Sequence, residues 1–108
     1  MKRWGFFFSS AAILFLLSSV GEAQDNRAAI FQKRCVMCHG ANGNGNTPTG
    51  KALKTIDFHD PEVVKMSDAD LATLIGNGKK MMPAFGSRLS TADIDSMVSY
   101  IRTLQKTK

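Results

Sequence analysis

The chain has 108 residues, with 14 Lys and Arg against 9 Asp and Glu, a formal charge of +5. That length holds one domain and little more. The excess of base is mild and scattered, with no basic helix and no stripe of aromatics between cations, so nucleic acid is excluded as a natural partner. Scattered lysines suit docking onto an acidic protein surface instead.

Residues 1–23 read as a leader. Lys2 and Arg3 give a basic start, Phe6 to Leu17 is apolar but for Ser9 and Ser10, and Gly21-Glu22-Ala23 places small residues at the two positions a signal peptidase inspects. The competing reading is an uncleaved anchor, because Trp4 to Val20 just reaches the roughly 17–25 residues that span a bilayer. Cleavage after Ala23 is favoured, giving a periplasmic protein with no remaining span. No Cys lies near the site, which argues against a lipid anchor. Loss of Lys2, Arg3 and Glu22 takes the 14 basic and 9 acidic residues to 12 and 8, about +4 for residues 24–108. A domain of this size sits near the limit of what a protein core alone supports, and a staple or cofactor is expected.

Asp25 or Asn26 is the expected cap of a first helix running to about Cys38, with Ala28, Phe31, Cys35 and Cys38 on one face. Within it stands Cys35-Val36-Met37-Cys38-His39. Cys-x-x-Cys-His is the attachment pattern of c-type haem. Positions i, i+3 and i+4 share one side of a helix, so Cys35 and Cys38 reach the two vinyl groups of one porphyrin as thioethers, and His39 lies under the ring with a nitrogen for iron. A thioredoxin-like redox pair would need a βαβ setting, and a structural zinc site would need four ligands. The only other His or Cys after the leader is His59, in a polar segment where a lone histidine is usually solvated.

Gly40 to Gly50 has no apolar period and many turn formers, and reads as a loop. Its glycines are no nucleotide fingerprint, since no strand precedes them. Pro61 is expected to start a short helical turn. Ser67-Asp68-Ala69-Asp70 resembles a capping box opening a helix through Leu71, Leu74 and Ile75, which Gly76 and Gly78 end. Residues 79–89 form a loop. Ser90-Thr91-Ala92-Asp93 opens a last helix with Ile94, Met97, Val98, Ile101 and Leu104 on one face and Tyr100 on its flank. No strand alternation is convincing, so the class is all-α.

A second axial ligand decides the chemistry, because a Met/His pair raises the reduction potential and fills both axial positions of the iron. The candidates are Met37, Met66, Met81, Met82, Met97 and His59. Met37 is inside the attachment motif and cannot reach the far face. Met97 lies on the apolar stripe and belongs to the core. Met82 is preferred over Met81, because Pro83 holds the preceding backbone extended.

These motifs together resemble the class I monohaem cytochromes c, in particular the small bacterial, cytochrome c6-like group. The resemblance spans most of residues 25–105 and rests on Cys35-Val36-Met37-Cys38-His39-Gly40, Gly76-Asn77-Gly78-Lys79, Met82-Pro83-Ala84-Phe85, and Leu89-Ser90 through Tyr100-Ile101-Arg102. It implies a small cytochrome c fold of three to four helices and loops around one haem c. Cys35 and Cys38 would be the thioether links, and His39 and Met82 the axial ligands, with Met81 as the alternative to Met82. The first and last helices would cross, bringing Phe31 against Tyr100, and a loop proline carbonyl, for which Pro48 is the nearest match, would accept the His39 N–H. The family often has Gly eight residues before the first Cys. Arg27 stands there, so the crossing is expected to shift or open. The implied function is that of a monomeric single-electron carrier, not an enzyme, serving redox partner proteins such as a membrane-bound respiratory complex or dehydrogenase. The alternatives are a haem-bearing subunit of a dehydrogenase or terminal oxidase, and a small-ligand haem sensor or peroxidase.

Overall fold

A computed structural model describes Gly5 and residues 20–107, with side chains from Asn26 onward. Most of the leader read in residues 1–23 therefore lies outside the described residues. No helix among them is long and apolar enough to cross a membrane.

Among the described residues six helical segments follow in order: α1 (Val20–Arg34), α2 (Val36–His39), α3 (Pro48–Leu53), α4 (Pro61–Val64), α5 (Asp68–Asn77) and α6 (Thr91–Gln105). The all-α class holds: the only β feature among the described residues is an isolated bridge between Lys79 and Met82. The count exceeds the expected three to four because prolines start two short helices. Pro48 and Pro61 each occupy the first turn, where a missing N–H costs nothing. Thr47 caps α3 by accepting from the Gly50 N–H at 2.8 Å, and Asp60 caps α4 by accepting from Glu62 at 2.8 Å. The loop expected over residues 40–50 thus ends at Thr47.

The first helix also differs from expectation. It begins at Val20, ahead of Asp25 and Asn26, and stops at Arg34. Cys35 leaves helical geometry at φ −121°, although its N–H still bonds the Phe31 carbonyl at 2.9 Å. Helix α5 runs through Gly76 to Asn77 and ends at Gly78, whose φ of 74° suits glycine. The two serine caps stand as read: Ser67 accepts from Asp70 at 3.0 Å and Ser90 from Asp93 at 3.1 Å, each worth about 1 kcal/mol.

The core lies where α6 meets α1 and α5. Ile94, Met97, Val98 and Ile101 of α6 are buried, as its stripe required, and Met97 is only 1% exposed. Leu71 and Ile75 come from α5, Phe31 from α1, Val63 from α4, and Phe58 and Phe85 from the connections. Each such side chain contributes about 1.5–3 kcal/mol through removal from water. Phe31 meets Tyr100 with ring centroids 4.9 Å apart, and Phe58 edge-on at 6.3 Å. Ala28 is exposed. At the crossing Arg27 reaches over α6, its Nη1 donating to Ser99 Oγ at 2.7 Å. A long side chain laid across the junction replaces the small-residue contact of the family pattern.

Arg102 fixes the middle of the chain to α6. Its Nε donates to Asp68 at 2.9 Å, and its Nη atoms donate to the Val64 carbonyl at 3.2 Å and to the Met66 carbonyl. These bonds hold the end of α4 and the start of α5, and α5 in turn carries the methionine loop.

Candidate haem site

The attachment motif occupies a single helical turn. His39 N–H bonds the Cys35 carbonyl at 2.9 Å, Cys38 N–H bonds the same carbonyl at 3.3 Å, and Gly40 N–H bonds Val36 at 2.9 Å. Cys35, Cys38 and His39 are all half-buried, and both thiols are free. The turn is held from below by Thr47. Its hydroxyl lies 2.7 Å from the Met37 carbonyl and 3.1 Å from that of Cys38 while accepting from Gly50. Gly50 is buried in this junction, where a Cβ would stand 2.2 Å from the Cys38 carbonyl oxygen and 2.4 Å from that of Gly45. Only a residue without a side chain allows α3 to sit this close beneath the motif.

Burial sets the charge states. It pushes the Cys35 thiol up to about 11, with the neighbouring Arg34 acting in the opposite sense. It lowers the His39 imidazole below its usual range, so the ring is neutral at physiological pH, the form that binds a metal. The His39 ring stacks on Phe58 with centroids 4.6 Å apart and planes 29° from parallel. Its Nδ1 is buried without a hydrogen-bond partner. The Pro48 carbonyl therefore does not accept from it. Pro48 is the first residue of α3, and a carbonyl there points along the helix toward its own later N–H groups.

The two loop methionines are in different settings. Lys79 and Met82 bond each other twice, Lys79 N–H to the Met82 carbonyl at 3.2 Å and Met82 N–H to the Lys79 carbonyl at 3.0 Å. Lys80 and Met81 form the tip of this tight turn, with Lys80 at φ 53°. Met81 is 66% exposed, whereas Met82 is half-buried against the core. The turn hangs from α5 by Phe85 N–H to Ile75 at 3.0 Å and Gly86 N–H to Gly76 at 2.9 Å. Gly78 permits its closure, since a Cβ there would be 2.7 Å from the Met82 carbonyl oxygen. Met37, 74% exposed, and Met97, in the core, take no part. Met66 packs partly buried against the core.

His59 is not a solvated histidine. Its side chain is 15% exposed, with Nδ1 2.7 Å from Asp57 and Nε2 2.8 Å from the Leu104 carbonyl, and with Thr107 as a further partner. It is committed to the C-terminal turn and unavailable to iron. Among the described residues no three His, Cys, Asp or Glu side chains converge to hold a metal ion. What the donor set fits is a porphyrin: two free thiols three residues apart, a neutral imidazole on the same turn, and a soft thioether on a pinned loop.

A small helical fold, with its first and last helices crossed and this motif between them, defines the c-type cytochromes. The family described as "Cytochrome C oxidase, cbb3-type, subunit III" matches residues 22–101. Cytochrome c6 of Picosynechococcus sp. is 37% identical over 78 residues, covering 68% of this chain and 67% of its own. Cytochrome c6 of Porphyra purpurea is 33% identical over 95 residues, covering 87% and 83%. The solved structure of the KustC0563 c-type cytochrome superposes with a TM-score of 0.66 at 29% identity, covering 72% of this chain and 95% of that one. The chain belongs to this cytochrome c family, in the class I, c6-like group: a haem protein that carries electrons and is not an enzyme.

Proposed function

We propose that the chain is a periplasmic single-electron carrier with one haem c, linked through Cys35 and Cys38 and ligated axially by His39 and Met82. The observation that carries the axial assignment is the Lys79–Met82 turn, which sends Met81 outward at its tip and leaves Met82 half-buried on a double hydrogen bond. The haem supplies a one-electron iron couple. The chain supplies a neutral imidazole, a thioether that favours the ferrous state, and an apolar surround. With both axial positions filled, nothing is bound or transformed.

The leader of residues 1–23 directs export and is removed after Ala23. Mass spectrometry of purified protein checks this: the N-terminus should be Gln24, and an intact Met1 would contradict it. The lysines exposed at 51, 54, 79 and 80 suit an acidic redox partner. The description of the matching family names an oxidase subunit, which favours a second reading in which the chain works docked on a larger complex. Purification from the native host separates the two. A carrier elutes as a haem-bearing monomer, and a subunit co-elutes with its complex. A pyridine haemochrome spectrum of c-type, at one haem per chain, tests the attachment itself.

A further inference from the structure

Asparagine followed by glycine occurs three times in the chain, at Asn42-Gly43, Asn44-Gly45 and Asn77-Gly78. In this dipeptide an asparagine loses its amide readily. The glycine nitrogen gives up its proton and attacks Cγ of the asparagine. A nitrogen–carbon bond forms, the bond from Cγ to Nδ2 breaks, and ammonia leaves. Water then opens the five-membered imide to aspartate or isoaspartate. Water is the only co-reactant, and glycine favours the step because it has no Cβ to obstruct the approach. By sequence the three pairs are equivalent. The fold separates them.

Attack needs the glycine N–H free of its acceptor and its nitrogen close to the plane of the asparagine side-chain arm. Asn77 fails on geometry. It is the last residue of α5, where a helical ψ turns the next nitrogen away from that plane, and the Leu74 carbonyl holds the Gly78 N–H at 2.8 Å. The two loop asparagines are alike in side-chain placement: Asn44 N–H donates to Asn42 Oδ1 at 3.1 Å, and Asn46 N–H to Asn44 Oδ1 at 2.9 Å. Their glycines are not alike. Gly45 is buried, and its N–H donates to the His39 carbonyl at 2.8 Å. A Cβ there would stand 2.7 Å from the Thr55 carbonyl oxygen, so the backbone is enclosed on that side as well. Freeing this N–H means lifting the loop off the attachment turn. Asn42 is exposed, and the Gly43 N–H bonds the Gly40 carbonyl at 3.1 Å, three residues back in the same turn. Gly43 is covered by Phe58, whose N–H donates to the Gly43 carbonyl at 2.8 Å, but that contact does not hold the Gly43 N–H. A bond within one surface turn opens by local fluctuation and leaves the core in place.

We propose that Asn42 is the deamidation site of the folded carrier, and that the Gly45–His39 bond and the end of α5 keep Asn44 and Asn77 intact. The product places a carboxylate in the cleft that Asn42 shares with Asp57, His59 and Asp60. The aged form therefore carries one more negative charge beside two existing carboxylates. This holds whichever side chains ligate iron.

The test incubates the haem-loaded protein at mildly alkaline pH, in native buffer and in concentrated guanidinium chloride. Mass spectrometry of the digested samples then assigns aspartate and isoaspartate to each position. In native buffer Asn42 should react about tenfold or more faster than Asn44 and Asn77, and in guanidinium the three rates should converge to within about twofold. Hydrogen exchange of the three glycine N–H groups is an independent readout, and Gly43 should exchange fastest. Asn42→Gln should remove the acidic form that accumulates on ion exchange in the native sample. Native rates at Asn44 or Asn77 equal to that at Asn42 would overturn the proposal. So would an intact Asn42 in the native sample once the unfolded sample has reacted. A lead for Asn42 that persists in guanidinium would show that local sequence sets the order, and would overturn the role of the fold.

Discussion

His59 faces the Leu104 carbonyl with Nε2 at 2.8 Å while its Nδ1 stands 2.7 Å from Asp57. Both ring nitrogens meet oxygen acceptors, an arrangement only the imidazolium satisfies. Those bonds raise its pKa above 6.5, the hydrogen bond to Asp57 most of all. A group raised on folding contributes stability that is fully present below its unfolded value and is lost as pH rises through the folded one. The melting temperature of the parent should therefore exceed that of His59→Gln most near pH 5.5–6. The gap should shrink toward pH 9. A gap that stays constant or widens with pH would refute the imidazolium clamp.

Met82→Ala should abolish the weak near-infrared sulfur–iron band, lower the potential and allow the ferrous protein to bind carbon monoxide. Met81→Ala should leave all three as in the parent, because Met81 stands at the exposed tip of the turn. The reverse result would move the ligand to Met81.

Gly50→Ala and Gly76→Ala should part company. At position 50 the new methyl meets two carbonyl oxygens at 2.2 and 2.4 Å, backbone that cannot yield locally. A cost of about 3 kcal/mol is expected, or a fall of about 12–24 °C in melting temperature. At position 76 the methyl meets only Ile94 Cδ1 at 3.8 Å, inside a helix. That change should be neutral or stabilise by about 0.4–1 kcal/mol. Thermal melts of the two holoproteins decide it.

Arg27→Ala and Ser99→Ala each remove one partner of a surface hydrogen bond and should each cost about 1 kcal/mol or less. The double variant should cost little more than the worse single one, since both break the same contact. Additive losses would mean that Arg27 and Ser99 act separately.

Cys35→Ala/Cys38→Ala leaves a polypeptide without its covalent group, at a size where a core alone is barely adequate. Circular dichroism should show no cooperative, native-like melt. A sharp transition would show that the helices hold together unaided.

Signals carried by neighbouring residues could be read from the chain itself. The serine caps at 67 and 90 and the α6 stripe depend on residues three or four apart, and the attachment turn on five in a row. Thr47 carried a signal too, as a capping residue directly before Pro48, but the glycines and asparagines around it read as loop. The features that escaped reading depend on distant pairs. His59 looks solvated until Leu104, 45 positions on, is brought beside it. Phe58 has no local mark at all; its place against His39 exists only once Gly43 and Gln105 close around it. Pro83 marks Met82 off from Met81 in the sequence, whereas the turn that sets Met81 at an exposed tip requires a positive φ at Lys80, which its residue type does not announce.

The crossing of α1 and α6 also imposes an order of events. Arg27 finds Ser99 across 72 positions of sequence, so the frame cannot lock until nearly the whole chain is available. A chain emerging from its N-terminus presents Cys35 to His39 long before residue 99 exists. During that interval the motif is open chain, reachable from every side. Covalent loading thus has a natural window before closure, and a chain cut short of α6 would display the motif indefinitely without ever enclosing it.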